Sequence, residues 1–453
     1  MPGGKFDRLV DKIRPGTYIN FESSRNDNLD RSRKGTVLIP LINHSYGPEK
    51  EYILIESFAP ESQYKKLGFS IGDQVPAMLL IREALKRAGR VLVYIPKQGA
   101  KAKVSIGTIQ VEAVHGGTRG NALKVVIVAN PSSGFDVTIH LGNMPVFDYT
   151  GISSVNDLIA EENGWVTFTG MGAITANAGA TLAGGVDGQA TNADFMKFLE
   201  TSEGQLWDAL AFPLGPTGET GDTVPALLDA VASKIIEIRE VSGKGRIGVL
   251  SGLHADHEGI INITNGVVLA DGSRITAPLA TAWVAATEAS SSLTEGNTHR
   301  VYPGAVEIIG YKDNDAAIEA IKAGEFFFSL NDEGEVIIEY DINSLVTLTP
   351  KKDETYKKNR TIRVFDAFAE WVKKNFPPGK FDNDSDGWEV MEGVGRSGLR
   401  EFGPDGIGAI KNIDFEADFR VDRSASIGDG TYFNVGLEHK ESSEKSYFTI
   451  ITR

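Results

Sequence analysis

The feature that most constrains this chain is an interruption. "DQVPAMLLIREALKRAG" reads as a helix and "RVLVYIP" follows at once as a buried strand, an α/β unit that breaks off near Lys97. In that helix Asp73 is placed to cap, Pro76 sits in the first turn and Gly89 can end it, while Met78, Ile81, Leu85 and Ala88 share one face. From Lys97 to Ala183 only short strands follow, "KVSIGTIQVEAV", "ALKVVIVAN", "FDVTIHLG", "MPVFDYTG" and "GWVTFTG", split by Gly, Asn and Pro turns. The alternation then resumes. "LWDALAFP" and "RIGVLSG" read as strands, and "TVPALLDAVASKIIEIREVSG" and the alanine-dense "TAPLATAWVAATEASS" as helices. A short helix, "DAAIEAIKAG", precedes a hairpin turning at Asn331 to Gly334. The pattern predicts a mixed-sheet α/β core split by an inserted β-rich domain.

The expected organisation is an N-terminal arm and linker over 1–35, core segments over 36–96 and 184–342, the insertion over 97–183, and a C-terminal α+β domain over 343–453. "ITANAGATLAGGVDGQ" reads as a small, flexible return to the core. In the last domain "KKNRTIRVFDAFAEWVKKNF" is an amphipathic helix with Ile362, Phe365, Phe368, Ala369 and Val372 on its apolar face. Lys357, Lys358, Arg360, Arg363, Lys373 and Lys374 make its ends basic in a chain of net charge −15. Strands follow in "IDFEADFRVD" and "TYFNVGLEH".

Both ends read as strands. "GTYINFE" (Thr17, Tyr18, Ile19, Asn20, Phe21) hangs on the polar linker "SSRNDNLDRSRKG". At the other end Tyr447, Thr449 and Ile451 would point to one face, and Phe448, Ile450 and Thr452 to the other. Both faces are partly apolar, so this strand needs cover on two sides. On the residues alone, a place in the sheet of its own domain stays open.

The acidic balance argues against nucleic acid as main partner, because phosphate binding needs a concentrated basic surface. With no cysteine there is no disulfide framework, thiol nucleophile or cysteine-ligated zinc. The start lacks the apolar core of a secretion signal, and no apolar run approaches the roughly 20 residues that cross a bilayer. A chain made and folded in a cytoplasm is expected, and no cofactor.

Four motifs mimic chemistry. "GFSIG" fits a serine nucleophile elbow at Ser70, but charged residues precede it where a buried strand is required. "HADHE" offers His254, Asp256, His257 and Glu258, yet the histidines are three apart in a loop. Asp382, Asp384, Asp386 and Gly387 match the opening of a calcium loop, whose twelfth position is Gly393 instead of Glu. "VSGKGRIG" lacks phosphate-loop spacing, and "GGTRGN" precedes a strand, so no helix N-terminus waits for a phosphate. A polar turn is the better reading of each, with weak calcium binding left open at Asp382 to Asp386.

Five ordered landmarks together resemble the contractile tail sheath proteins of myophages and related particles. They are "RPGTYINFE", "ALKRAGRVLVYIP", "HGGTRGNALKVVI", the hinge "TLAGGVDGQATNADFMKFLE", and "GEVIIEYDINSLVTLTPKKDETYKKNRTIRVFDAF". "EKSYFTIITR" is similar to the family's closing strand. The resemblance implies a non-enzymatic subunit that polymerises as stacked six-membered rings around a tail tube. It implies baseplate and tail terminator proteins as further partners, and neither nucleic acid nor direct membrane contact. The particle would be a virion tail or a tail-like device assembled in the bacterial host cytoplasm. Contraction would proceed by repacking, without nucleotide, and would drive the tube through an envelope. It further implies that Thr17 to Phe21 and Tyr447 to Ile451 are inter-subunit arms adding strands to neighbours. The basic helix ends are expected to face an acidic tube. The alternatives are a non-contractile strand-exchanging shell or array subunit, and a hydrolase using Ser70.

Overall fold

The computed structural model describes residues 3–4, 17–18, 35–132, 134–215 and 224–451. Within Met1–Arg33, Gly3–Gly4 and Thr17–Tyr18 pair as parallel strands. Ile19, Asn20 and Phe21 lie outside the described residues, as do residues 23–34 of the linker.

The core is one twisted sheet between two helical layers. Its strands are β1 (Thr36–Pro40), β2 (Tyr52–Glu56), β3 (Arg90–Tyr94), β4 (Ala209–Ala211), β5 (Ile247–Ser251), β6 (Ile260–Ile263) and β7 (Glu325–Phe326). They lie in the order β7-β6-β5-β4-β1-β3-β2, all parallel except β2 against β3. Successive strand side chains point to opposite faces, so both faces need apolar residues. Val37, Ile39, Val91 and Val93 meet helices α1 (Pro76–Leu85) and α4 (Ala277–Ser290). Leu38, Leu92, Tyr94 and Leu250 meet α2 (Asn192–Ser202) and α3 (Val224–Glu240). In α4 every residue from Ala280 to Ala289 is buried, which suits a helix that is small and apolar all round.

Two expectations for α1 need correction. Val75 takes the N-cap position, and the Asp73 carboxylate accepts from the Ser70 amide at 3.0 Å. The helix ends at Leu85, four residues before Gly89.

The insertion is a pair of antiparallel sheets closed on Val111, Val125, Ile139, Trp165 and Phe168. One orders Met144–Ile152, Phe135–Leu141, Leu123–Ala129 and Asn177–Thr181; the other Val166–Gly170, Ile109–Ala113 and Lys103–Ile106. Asn177–Thr181, expected as loose return, is thus a strand paired with Leu123–Ala129.

The last part packs helix α5 (Asn359–Asn375) on α6 (Ser385–Phe402), with the Trp371 indole donating to Glu401 at 2.9 Å. The buried face of α5 is Ile362, Val364, Ala367, Phe368 and Trp371. It is rotated from the expected one: Ala369 is exposed, and Phe365 and Val372 are half-buried. The reason is the indole, which fills the space left by Gly398 of α6, where a Cβ would lie 2.4 Å from the ring. The expected strands shorten to Phe419–Val421 and Phe433–Val435, with Phe376 stacked on Phe419.

Candidate functional site

Two joints and one free end stand out. The first joint carries the chain into and out of the insertion. The two passages run side by side, bridged at Ala100 and Val186 and at Lys103 and Ala183. Their backbones approach so closely that side chains are excluded: a Cβ on Gly99 would lie 1.6 Å from the Val186 carbonyl oxygen, and one on Gly188 2.2 Å from that of Gln98. The glycine landmarks interlock here. Asp187 accepts from the Thr118 amide (2.8 Å) and hydroxyl (2.7 Å), while Asn121 exchanges two hydrogen bonds with Gly185. Ser45 binds both polar groups of Gly188, and Arg119 donates to Gly68 and lies over the Phe69 ring at 4.1 Å. Two histidines sit in this joint. Burial lowers His44 to about 4, against weaker opposing contacts, and burial followed by Lys101 and Lys66 lowers His115 to about 4.

The second joint ties α5 to the core and absorbs the "DINSL…KKNRTIR" block. Arg239 of α3 clamps Asp366 of α5 with two bonds, 2.8 and 3.0 Å. Arg363 pairs with Glu288 of α4 and donates to the Glu295 carbonyl at 2.6 Å. Asn297 donates to Glu288 through its amide side chain and to Asp341 through its backbone. Asn359 donates to Asp341 at 2.8 Å, and Asn343 to the Tyr356 carbonyl at 2.8 Å. Burial first, then the Asp341 carboxylate, pushes Glu288 up to about 8, with Arg363 pulling it back.

These contacts change the standing of the basic helix ends. Lys358 pairs with Glu444, Arg360 donates to Ser442, Arg363 is inside the joint, and Lys357 pairs with Glu354 at 3.1 Å. Charge counted along the sequence could not see these partners. Lys373 and Lys374 lie exposed at the far end, Lys373 donating to the Gly243 carbonyl.

The free end is Ser446–Ile451, which joins no ladder among the described residues. Its Tyr447, Phe448, Ile450 and Ile451 are 82–90% exposed and adjacent, whereas the other exposed apolar residues of the domain, such as Ile427 at 77% and Val390 at 56%, stand singly. Thr452 lies outside the described residues.

The motifs that mimicked chemistry have local roles. Ser70 follows a short helix, Tyr64–Leu67, and its hydroxyl donates to Glu61 at 2.8 Å. Asp256 accepts from the amides of Val346 and Thr347. Glu240, His257 and Glu258 converge closely enough for a metal, but His257 Nδ1 accepts from the Gly259 amide, which puts the proton of the neutral ring on Nε2. Lys352 occupies the carboxylate side, 2.6 Å from Glu258. Asp384 caps α6 by accepting from Gly387 at 2.8 Å, so the calcium-like run continues as helix from Ser385. His254 is exposed, 4.0 Å from Glu325.

A core sheet is split by a β-sandwich and joined to a smaller domain whose segment Ser446–Ile451 exposes apolar side chains. The profiles of the phage tail sheath β-sandwich, central and C-terminal domains match residues 97–187, 188–344 and 351–453. The phage-like element PBSX protein XkdK of Bacillus subtilis is 32% identical over 99% of each chain. The crystal structure of a sheath tail protein from Desulfitobacterium hafniense superposes with a TM-score of 0.82 at 35% identity, covering 95% of this chain and 98% of that one. The contracted helical sheath of the anti-feeding prophage shares the fold, with a TM-score of 0.54 at 12% identity over 98% of this chain and all of that one. The chain belongs to the phage tail sheath family. It is a structural subunit of the contractile sheath of a tail or tail-like particle.

Proposed function

We propose that the chain polymerises as stacked six-membered rings around a tail tube, anchored by baseplate and terminator proteins, and contracts to drive the tube through an envelope. Assembly takes place in the host cytoplasm. Two strands do the linking: the terminal strand of each subunit adds to a neighbour's C-terminal domain, and Thr17 to Phe21 serves as the second arm. The observation that carries this is the exposure of Tyr447, Phe448, Ile450 and Ile451 on a segment of strand-forming composition that joins no ladder among the described residues. An unpaired apolar strand in water templates pairing with another chain, and backbone hydrogen bonds supply the affinity. Domain limits at 36–96, 97–183, 184–342 and 343–453, with 1–35 as arm and linker, fit this division of labour.

Contraction then needs the bodies to stay rigid while links between subunits re-angle, and no nucleotide is consumed because the energy lies between two packings. Sedimentation of the full chain beside one lacking Ser446–Arg453 tests the linkage. Fast-sedimenting polymers should form only from the full chain; equal polymer from both would remove the strand from the mechanism. Lys373 and Lys374 are the exposed basic pair offered to an acidic tube. The double reversal to Glu should abolish assembly on the tube while leaving tube-free polymer, and unchanged tube loading would sink that assignment.

A further inference from the structure

The terminal strand leaves the body from a built root. Glu444 accepts at both carboxylate oxygens: the Thr298 hydroxyl donates to Oε1 at 2.8 Å, and the Lys358 ammonium donates to Oε2. Two residues earlier, Arg360 donates to the Ser442 hydroxyl at 2.7 Å. The Lys358 ammonium also sits 3.7 Å from the centre of the Tyr340 ring. Burial lowers its pKa, but the contacts with Glu444 and Tyr340 outweigh that and hold it above the ordinary lysine value.

These partners come from two parts of the chain. Thr298 belongs to the core-side loop that carries Asn297, and Lys358 and Arg360 open α5. The Thr298 hydroxyl oxygen accepts from the Asp341 amide at 3.1 Å, which directs its one proton to Glu444. The root is therefore built on the same loop and helix start as the joint of Glu288, Asn297, Asp341 and Arg363.

We infer that Glu444 is a positioning residue for assembly, fixing where and in which direction the terminal strand leaves the subunit. This rests on the strand-donation reading above. From Lys445 to Arg453 an extended chain reaches at most about 30 Å, so a strand of this length has little slack to search for its acceptor. Releasing its root lowers the effective concentration of strand at the neighbour without altering a residue of the pairing surface.

The chain has no cysteine, which allows a clean test. A Cβ on Gly296 would lie 3.7 Å from the Ser442 Cβ, the separation a disulfide spans without strain. Glu444→Ala in the full chain should raise the concentration needed for polymer on the order of tenfold, with the thermal midpoint of the subunit little changed. Adding Gly296→Cys and Ser442→Cys should restore polymer at the wild-type concentration when oxidised and lose it again on reduction. Assembly of Glu444→Ala at the wild-type concentration, or an oxidised form no better than the reduced one, would overturn the inference. If the chain lacking Ser446–Arg453 also assembles normally, the strand-donation reading itself falls and takes this inference with it.

Discussion

The two joints hold their domains by opposite means. The joint to the insertion is backbone against backbone: Gly99, Gly116, Gly185 and Gly188 let two passages touch, and neutral histidines fill the corners. The joint to α5 is side chain against side chain, with Arg363, Glu288, Asp341 and two asparagines sharing charge in a buried cluster. A glycine joint is set by sterics and tolerates no enlargement. A charged joint is set by pairing and depends on every member being present. The second borders the contacts of Glu444 with Thr298 and Lys358, so on the proposed strand donation it is where a change in packing would reach the neighbouring subunit.

Removing one partner from the charged joint should have the largest effect. Arg363→Ala leaves Glu288 beside Asp341 without its cation, and in urea unfolding above about pH 8, where Glu288 is ionised, it should destabilise the chain by about 3–5 kcal/mol. A loss near zero would show that the cluster is not closed in solution. Gly99→Ala should come next, at about 1–3 kcal/mol, because the atom it meets is a carbonyl of the other passage. The same substitution at Gly272, with open space around it, offers a control for crowding, although its positive φ adds some strain of its own.

The joints should also respond to pH in opposite directions. Folded His44 stays neutral down to about 4, whereas free histidine titrates at 6.5. Between those values the unfolded chain holds the extra proton, so stability falls as pH drops through the window, by about 3 kcal/mol at most. His44→Phe should flatten that acid limb. Glu288 holds its proton up to about 8 when folded, against the ordinary 4.5. There the folded chain holds the extra proton, so stability falls as pH rises from 4.5 to 8 and levels off above. Glu288→Gln should therefore gain in melting temperature relative to wild type as pH rises across that range. Parallel curves for the two variants would erase the contrast between the joints. The smallest effect is expected at Ser45→Ala, about 1 kcal/mol, since only the Gly188 backbone pair loses a partner.

Much of the core was legible because its periods are plain. β1, β3 and β5 are apolar runs of strand length, and α1, α3 and α4 carry helical spacing or alanine. Helix α6 was not, because Gly387, Gly393, Gly395 and Gly398 argue against a helix locally. Two of these glycines make sense only in three dimensions: a Cβ on Gly395 would lie 2.0 Å from Phe419, and one on Gly398 would strike Trp371. The site was read unevenly for a related reason. The "DINSL…KKNRTIR" block could be recognised as a pattern, but Glu288 lies 75 residues before Arg363, and no local signal links them. At Ser446–Ile451 the apolar pattern of a strand is plain in the sequence, while the segment pairs with nothing among the described residues.

The most direct measurement is electron cryomicroscopy of polymer assembled from the full chain, at a resolution that traces side chains. Density for Tyr447 to Ile451 should pair in register with a strand of the neighbouring subunit and leave its own body at Glu444 beside Lys358. A terminal strand folded back onto the sheet of its own domain, in a polymer held by other contacts, would contradict it.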